Sequence, residues 1–269
     1  MNDISQEELE RITKYCIPAV QNAGDYILGN WNQTKSLTYK DLRDVVTNVD
    51  VEVENMLRER LTAILPDAGF IVEEGDSAVS DGYNWAIDPI DGTKNYATGA
   101  PLFYTQIALL KKYSPILSIV YNPLSKQMFR AIKGGGAFLN DMVLKPKNHA
   151  TIASSIVDID TGSLNTTEDA WKLELINKFA THAYRLRITA GFFGLYISTG
   201  AVDIFIKTNL HSPLTIKEIV DTTPHMLIME ESGHIPHFLT YKNSSILICT
   251  SDLLFEEVQR SIHRFLPAH

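Results

Sequence analysis

Asp88-Pro89-Ile90-Asp91-Gly92-Thr93 is the stretch of this sequence that decides both its fold and its chemistry. It follows the apolar run Trp85-Ala86-Ile87, which predicts a short buried strand that leads into the two aspartates. Carboxylates three residues apart, separated by a rigid Pro-Ile step, can converge on a hard cation such as Mg²⁺. Glycine then permits a tight turn, and the Gly92 and Thr93 amides would point at an anion if they open a helix or a nest. The stretch therefore predicts a combined metal and phosphate site.

The length and composition indicate a folded globular protein. Of the 269 residues, 45% are hydrophobic, 21% charged and 9% aromatic, which is close to the average of soluble domains. The chain is long enough for one large domain or for two closely joined ones. We expect two halves. Residues 1–148 would form an α+β metal-binding half, and residues 149–269 an α/β half that contributes Asp221 and substrate contacts.

Charge and cysteine usage exclude several classes of partner and location. The formal net charge of −8, without a cluster of Lys and Arg, argues against a nucleic acid polymer as partner. The N-terminal residues lack the pattern of a signal peptide, and no apolar run is long enough for a membrane helix. Cys16 and Cys249 show neither disulfide nor zinc-site spacing. We therefore expect a cytoplasmic protein that does not bind membranes.

The periodicity of the sequence predicts a mixed α+β fold. A capping-box pattern at Ser5-Gln6-Glu7-Glu8 begins one long helix toward Ile27, and Thr47-Asn48-Val49-Asp50 begins a second that Pro66 ends. Short apolar runs then predict strands, the last three in an antiparallel meander that the Gly134-Gly135-Gly136 run ends. These strands are Phe70–Glu73, Asn84–Ile87, Thr105–Leu110, Ile116–Tyr121 and Gln127–Ile132.

After about residue 150 the pattern changes to alternating strands and helices, which predicts an α/β arrangement with a smaller mixed sheet. The predicted strands are Ile156–Ile159, Tyr184–Thr189, Asp203–Lys207 and Ser245–Thr250. The predicted helices lie near Glu168–Ala180, near Phe192–Ser198, after Asp221 and after Ser251. Pro224 fits the first turn of its helix, where no intrahelical hydrogen bond is lost, so we expect Asp221 near a helix N-terminus.

Five motifs in a fixed order resemble the inositol monophosphatase family, and the likeness covers nearly the whole chain. The resemblance implies a layered αβαβα sandwich, a Mg²⁺-dependent phosphatase that acts on a small phosphorylated metabolite, inhibition by Li⁺, and a homodimer. The motifs are Asp44-Val45-Val46-Thr47-Asn48-Val49-Asp50, Val72-Glu73-Glu74, Asp88 to Thr93, and Gly134-Gly135-Gly136-Ala137-Phe138, with Asp221 nine residues before Glu230-Glu231-Ser232-Gly233.

The same resemblance implies a role for each site residue. Glu73, Asp88 and the Ile90 carbonyl would hold one Mg²⁺, and Asp88, Asp91 and Asp221 a second, with a third ion sharing Glu73. Thr93, hydrogen-bonded to Asp50, would orient and help deprotonate the attacking water. Asp91, Gly92, Thr93 and Asp221 would also contact the substrate. Lys40 matches the lysine of the family's mobile loop, with a spacing one residue shorter than in animal members.

The departures from the family pattern concern substrate selection. Val220 stands where a tryptophan usually precedes the last aspartate, and Ala190-Gly191-Phe192 replaces the turn that cradles substrate. Lys207 falls at the position of an acidic residue that binds a sugar hydroxyl, so it would favour a second anionic group on the substrate. The segment between Lys207 and Asp221 is also about seven residues longer than in the family pattern.

The sequence leaves three functions open. The first is hydrolysis of inositol monophosphate. The second is hydrolysis of another small phosphate by the same chemistry, such as fructose-1,6-bisphosphate, histidinol phosphate or 3′-phosphoadenosine 5′-phosphate. The third is a catalytically silent protein that binds metal and anions. Taken singly, the motifs have simpler interpretations, because Asp-Gly and Asp-Pro steps form ordinary turns and Thr47 with Asp50 can form a helix cap.

Overall fold

The structure is a computed structural model in which residues 3–31, 33, 37–39, 45–146, 151–162, 170–189, 191–241 and 244–263 are described. The chain forms two compact units. The first combines Met1–Val143 with Ile216–Glu231, and the second combines Leu144–Thr215 with Ser232–His269. Within the described ranges, no helix is both long enough and apolar enough to cross a lipid bilayer.

Six α-helices and fourteen β-strands are described, and they are numbered here in chain order. The elements up to residue 143 are α1 (Gln6–Trp31), β1 (Leu37–Tyr39), β2 (Val45–Thr47), α2 (Asn48–Ile64), β3 (Gly69–Val72), β4 (Tyr83–Asp91), α3 (Thr93–Thr98), β5 (Tyr104–Lys111), β6 (Ser114–Asn122), β7 (Gln127–Ile132), β8 (Gly136–Leu139) and β9 (Met142–Val143). The remaining elements are β10 (Ile156–Asp160), α4 (Ala170–His182), β11 (Arg185–Ile188), β12 (Ile204–His211), α5 (Ile216–Glu231), β13 (Ile235–Tyr241), β14 (Ser244–Thr250) and α6 (Asp252–His263).

The first unit is built on a seven-stranded sheet in which the strands follow chain order from β3 to β9. We predicted an antiparallel sheet, and all neighbouring pairs are antiparallel except β3 and β4, which run parallel. The parallel pair arises because the connection between them runs back along β3. Phe70 and Ala78 exchange two backbone hydrogen bonds of 2.9 Å across this return.

The two faces of this sheet are covered by different helices. Apolar side chains of α1 and α2, spaced three and four residues apart, pack on one face with Trp85, Ile87, Ile107 and Leu109 of the sheet. Val220 of α5 packs on the other face with a smaller group of apolar residues. That group is Ile71, Ala86, Ala108 and Leu110, whose positions alternate with those of the first face, as strand geometry requires.

The glycine run at residues 134–136 continues the sheet, whereas we predicted that it ends the meander. Gly134 and Gly136 both adopt positive φ, at 75° and 83°, and form the turn from β7 into β8. Their amides donate to the two carboxylate oxygens of Glu231, over 2.7 and 2.9 Å. Glu231 is the last residue of α5, so this turn anchors the end of that helix to the sheet of its own unit.

The second unit contains a five-stranded mixed sheet in the order β11-β10-β12-β14-β13. β10 pairs in parallel with β11 and β12, whereas β14 pairs antiparallel with β12 and β13. Helices α4 and α6 share one apolar cluster with β10, β12 and β14. This confirms the smaller mixed sheet and the mixed α+β class. The helix predicted near Phe192–Ser198 is present as a 3-10 helix at Gly191–Ile197.

Helix α5 differs from the prediction in where it begins. It starts at Ile216, so Asp221 lies in its second turn and Pro224 lies inside the helix. The prediction that Pro224 belongs to the first turn is therefore wrong. Apolar residues at 219 and 220 pack on the first sheet and extend the helix toward its N-terminus. The division at residues 148 and 149 stays a prediction, although the contacts of α5 group Asp221 with the first unit.

Two glycines of α1 offer a test of how tightly this helix packs. A Cβ on Gly24 would lie 2.6 Å from Cε1 of Tyr121 and 3.0 Å from Cβ of Pro123, whereas a Cβ on Gly29 would have no neighbour within 4 Å. We expect Gly24→Ala to lower the free energy of unfolding by about 1–3 kcal/mol through overpacking. Gly29→Ala should raise it by about 0.5–1 kcal/mol, because alanine loses less entropy in a helix. Urea unfolding measures both, and equal effects would contradict this packing.

Candidate active site

Strand β4 carries the two aspartates of the predicted metal site. Asp88 is only 1% exposed. It shares a sheet face with Ala86, the face that α5 covers, because residues two apart in a strand point the same way. A β-bulge then shifts the register between Asp88 and Asp91. Bulges redirect side chains at strand ends, and here Ile90 enters the core beneath α1 and α2 while Asp91 stays partly exposed.

Three carboxylates from separate elements converge beside the end of β4. One oxygen each of Glu73, Asp88 and Asp221 lie within 4.8 Å of one another. The Oδ1 atom of Asp88 is buried, and no described residue gives it a hydrogen bond. A buried carboxylate oxygen without a donor is unfavourable, and a cation would compensate it. The donor set is all oxygen, so these residues fit a hard divalent ion.

The charge balance of this cluster favours the same conclusion. Burial raises the pKa of Asp88 well above its ordinary value, and the negative charges of Glu73, Asp91 and Asp221 raise it further. Negative charge is therefore unfavourable on Asp88 in the protein alone. A bound divalent ion is often the largest charge in a site and reverses this effect. The cluster thus has the electrostatics of a cation site.

Thr93 and Asp50 form a second arrangement next to the carboxylates. Gly92, in the left-handed region at φ 92°, places Thr93 at the start of the short helix α3. The Thr93 hydroxyl lies 3.1 Å from Oδ1 of Asp50 and 2.8 Å from the carbonyl oxygen of Ile90, and it shares its proton between these two acceptors. The other oxygen of Asp50 accepts from the Thr47 amide at 2.9 Å and from the Thr47 hydroxyl. This is the capping box that begins α2.

Asp50 is a buried carboxylate with the properties of a proton acceptor. Burial raises its pKa to about 6, although the hydrogen bonds from Thr47 and Thr93 act in the opposite direction. At neutral pH the carboxylate is therefore mostly ionised, and its pKa lies close to the working pH of a general base. Thr93 connects it to the edge of the carboxylate cluster through Ile90.

Comparisons with known proteins agree with this geometry. Residues 8–258 match the model of the inositol monophosphatase family. The chain belongs to the inositol monophosphatase family. An inositol monophosphatase of Dictyostelium discoideum is 31% identical over 239 residues, which cover 84% of this chain and 86% of the relative. As a member of this family, the chain is a phosphoric monoester hydrolase.

Solved structures show the same fold. The extragenic suppressor protein suhB of Bartonella henselae superposes with a TM-score of 0.83 and 21% identity, over 94% of this chain and 98% of the other. A staphylococcal inositol monophosphatase-1, solved as an inhibitory complex soaked in lithium chloride, superposes with a TM-score of 0.79 and 20% identity, over 97% and 96%. These similarities confirm the fold expected from the family resemblance.

The structure brings together most of the inositol monophosphatase residues that the sequence predicts. Glu73, Asp88 and Asp221 converge directly, and Thr93 bonds Asp50 as expected. The predicted ligands Ile90 and Asp91 follow Asp88 on β4, and Gly92 forms the turn into α3. The assignment of these residues to metals and substrate stays a prediction.

The residues predicted to select the substrate are described only in part. Lys207 lies on β12, where its ammonium is 3.1 Å from Oδ2 of Asp160 and only 16% of its side chain is exposed. This ion pair was not predicted from the sequence, and it compensates the charge of the lysine within the second unit. Its role toward a second anionic group stays a prediction. Lys40 and Ala190 lie outside the described residues.

Gln106 is a supporting residue that the sequence reasoning missed. It lies directly opposite Asp88 in the pairing of β4 with β5 and is fully buried. Its amide nitrogen donates to Oδ2 of Asp88 and to the carbonyl oxygen of Val220, both at 3.2 Å. That carbonyl would normally accept the amide N–H four residues later, but residue 224 is proline. Gln106 thus replaces the missing helix bond and links α5 to Asp88. A polar residue beside the apolar run of a predicted strand was its only sequence signal.

Glu54 is a second missed residue, and it supports the loop that carries Glu73. It is 3% exposed and accepts the amides of Glu74 and Gly75 at 3.1 and 3.2 Å. Arg58, one turn later on α2, donates to its other oxygen at 3.0 Å. The sequence signal was its position four residues after Asp50, on the buried face of the same helix.

Helix α5 presents three chemical groups to the cluster at intervals of four residues. Lys217 pairs with Glu73, Asp221 joins the carboxylates, and His225 places Nε2 3.8 Å from Oδ2 of Asp91. Residues four apart lie on one face of a helix, so this row follows from helix geometry. His225 is buried, and it also adjoins a predicted metal ligand.

The link through Gln106 can be tested with a double-mutant cycle. Gln106→Met should lower the free energy of unfolding by about 2 kcal/mol, because it leaves two buried acceptors without a donor. Pro224→Ala supplies a backbone N–H for the Val220 carbonyl. The double variant should therefore recover about 1 kcal/mol relative to the sum of the single effects. Urea unfolding of all four proteins measures this coupling, and strict additivity would show that Gln106 and Pro224 are independent.

Proposed function

We propose that this phosphatase hydrolyses inositol monophosphate, with Mg²⁺ held by Glu73, Asp88, Asp91, Asp221 and the carbonyl oxygen of Ile90. The observation that carries the proposal is the convergence of Glu73, Asp88 and Asp221, with a buried and unsatisfied oxygen on Asp88. Two or three ions per site would match the resemblance. When bound, Mg²⁺ would polarise the phosphoryl oxygens, lower the pKa of a bound water and stabilise the departing oxygen.

The protein groups would divide the remaining work. Thr93 would hold the attacking water through its hydroxyl, and Asp50 would accept the proton, because it is the ionised acceptor of the Thr93 hydrogen bond. Gly92 has no side chain that could accept hydrogen bonds from the first amides of α3. These amide N–H groups would therefore be available to donate to a phosphoryl oxygen. Asp91 and Asp221 would orient the substrate as well as the metal.

A substrate screen tests this assignment. Purified full-length protein is incubated with inositol monophosphate, fructose-1,6-bisphosphate, histidinol phosphate and 3′-phosphoadenosine 5′-phosphate, with and without Mg²⁺, and phosphate release is measured. We expect the highest kcat/KM for inositol monophosphate, only with Mg²⁺, and inhibition by Li⁺. A higher kcat/KM for one of the other three substrates would support the same metal-dependent hydrolysis and would contradict inositol monophosphate as the substrate. Absence of hydrolysis with all four would support the silent-protein alternative.

Asp91→Asn tests the metal ligands within the same assay. Loss of one carboxylate weakens the hold on a metal that stabilises the leaving oxygen, so turnover should fall by about two orders of magnitude or more. The fold should survive, because Asp91 is partly exposed at a strand end. Asp81→Asn, which changes an exposed aspartate of the same unit in the same way, is the control. Retention of activity in Asp91→Asn with normal Mg²⁺ dependence would refute the role.

Location and assembly belong to the proposal as well. We propose a cytoplasmic homodimer that acts on a small phosphorylated metabolite and binds neither membranes nor nucleic acid polymers. The support is the family resemblance, the net charge of −8 and the two widely separated cysteines. Sedimentation equilibrium of the purified chain distinguishes a dimer from a monomer of 30.2 kDa.

A further inference from the structure

Lys217 makes an ion pair with one of the three converging carboxylates. Its ammonium donates to Oε1 of Glu73. The two partners differ in their surroundings, since 49% of the lysine side chain is exposed but only 9% of the Glu73 side chain. The described surface pairs are different, because Arg11 with Glu8 and Arg260 with Glu256 are exposed on both sides. The pair at Glu73 therefore compensates a carboxylate that water reaches poorly.

The position of Lys217 follows from that of Asp221. The two residues are one helical turn apart on α5, so the helix that delivers the carboxylate also delivers a positive charge to its neighbour. Lysine carries a compact charge on a flexible four-carbon stem and has three donors but no acceptor. It can compensate Glu73, and its half-exposed stem lets the ammonium move into water when another cation takes its place at Glu73.

We propose that Lys217 is a resident counter-ion that competes with the divalent metal for Glu73, so that metal loading displaces its ammonium group. The inference rests on the proposed metal site, because it concerns the same carboxylate. Glu73 has a partner in either state. With the ammonium bound, the converging carboxylates repel one another less, and the metal-free protein is stabilised. With metal bound, the ammonium is released to solvent, and its release reduces the net affinity for metal.

Lys217→Met is the variant that tests this competition, because methionine keeps most of the stem and removes the charge. Lys14→Met, at an exposed lysine of α1, removes the same charge from another helix of the unit and is the matched control. Metal-free full-length proteins are titrated with Mg²⁺ by calorimetry, and their Tm is measured without and with saturating Mg²⁺. The readouts are therefore metal affinity and stability, and neither depends on catalysis.

The expected signature has two parts. Lys217→Met should bind Mg²⁺ roughly fivefold more tightly than wild type, as expected for loss of a competing ion pair of about 1 kcal/mol. Its Tm should be lower than that of wild type in the metal-free protein and equal to it at saturating Mg²⁺, because the pair exists only in the metal-free state. Lys14→Met should match wild type in both measurements, and Lys217→Arg should stay near wild type in affinity.

Repeating the Lys217→Met comparison in a Glu73→Gln protein distinguishes an error in the proposed competition from an error in the proposed metal site. In Glu73→Gln, Lys217→Met should change the Mg²⁺ affinity by less than twofold, since the shared carboxylate is gone. If wild type binds Mg²⁺ and Lys217→Met binds it equally or more weakly, the competition is refuted and the proposed function stands. If wild type binds no Mg²⁺, both proposals are refuted.

Discussion

The burial of Asp88 is the constraint on which the rest of the site depends. Burial to 1% exposure and three neighbouring carboxylates both make the anionic form of Asp88 unfavourable in the protein alone, and they raise its pKa. Among the described residues, Gln106 donates a hydrogen bond to Oδ2 of Asp88, and none donates to Oδ1. A cation bound here would therefore complete the core of this unit as well as supply its chemistry. Folding stability and metal affinity would then be coupled at the same atom.

Helix α5, which lies far from Asp88 in sequence, supplies Asp221 to the carboxylate cluster and the Val220 carbonyl to Gln106. It follows the strands of the second unit in sequence, yet it packs on the first sheet through Val220, and the Gly134–Gly136 turn holds its last residue. Pro224 removes one helix hydrogen bond, and the carbonyl thus freed is the one that Gln106 binds. The same amide reaches Asp88. The carbonyl that Pro224 leaves without its helix partner is thus bound by the same side chain that contacts Asp88.

The sequence predicted the secondary structure and the acidic site residues better than it predicted the side chains that contact those acidic residues. Helix starts, alternating strands and turn residues are local features, so α2 ends before Pro66 as predicted and β7 has the predicted bounds. The converging carboxylates Glu73, Asp88 and Asp221 were predicted because several acidic residues in a family order are a specific pattern. Gln106 and Lys217 were not found, because their roles depend on which residues face them across a sheet or helix. The start of α5 was wrong for the same reason, since tertiary packing extends it before Asp221.

The Thr47–Asp50 pair shows why a structural and a chemical interpretation of one motif need not exclude each other. Oδ2 of Asp50 accepts hydrogen bonds from Thr47 in the cap that begins α2, while Oδ1 accepts a hydrogen bond from the Thr93 hydroxyl. The two oxygens of one carboxylate therefore have separate tasks, and the cap holds the second oxygen in position. A general base must keep its geometry while it gains and loses a proton. If Asp50 is the base, as proposed, its place at the start of the seventeen-residue helix α2 would supply this fixed geometry, because the helix cap holds the carboxylate that Thr93 contacts.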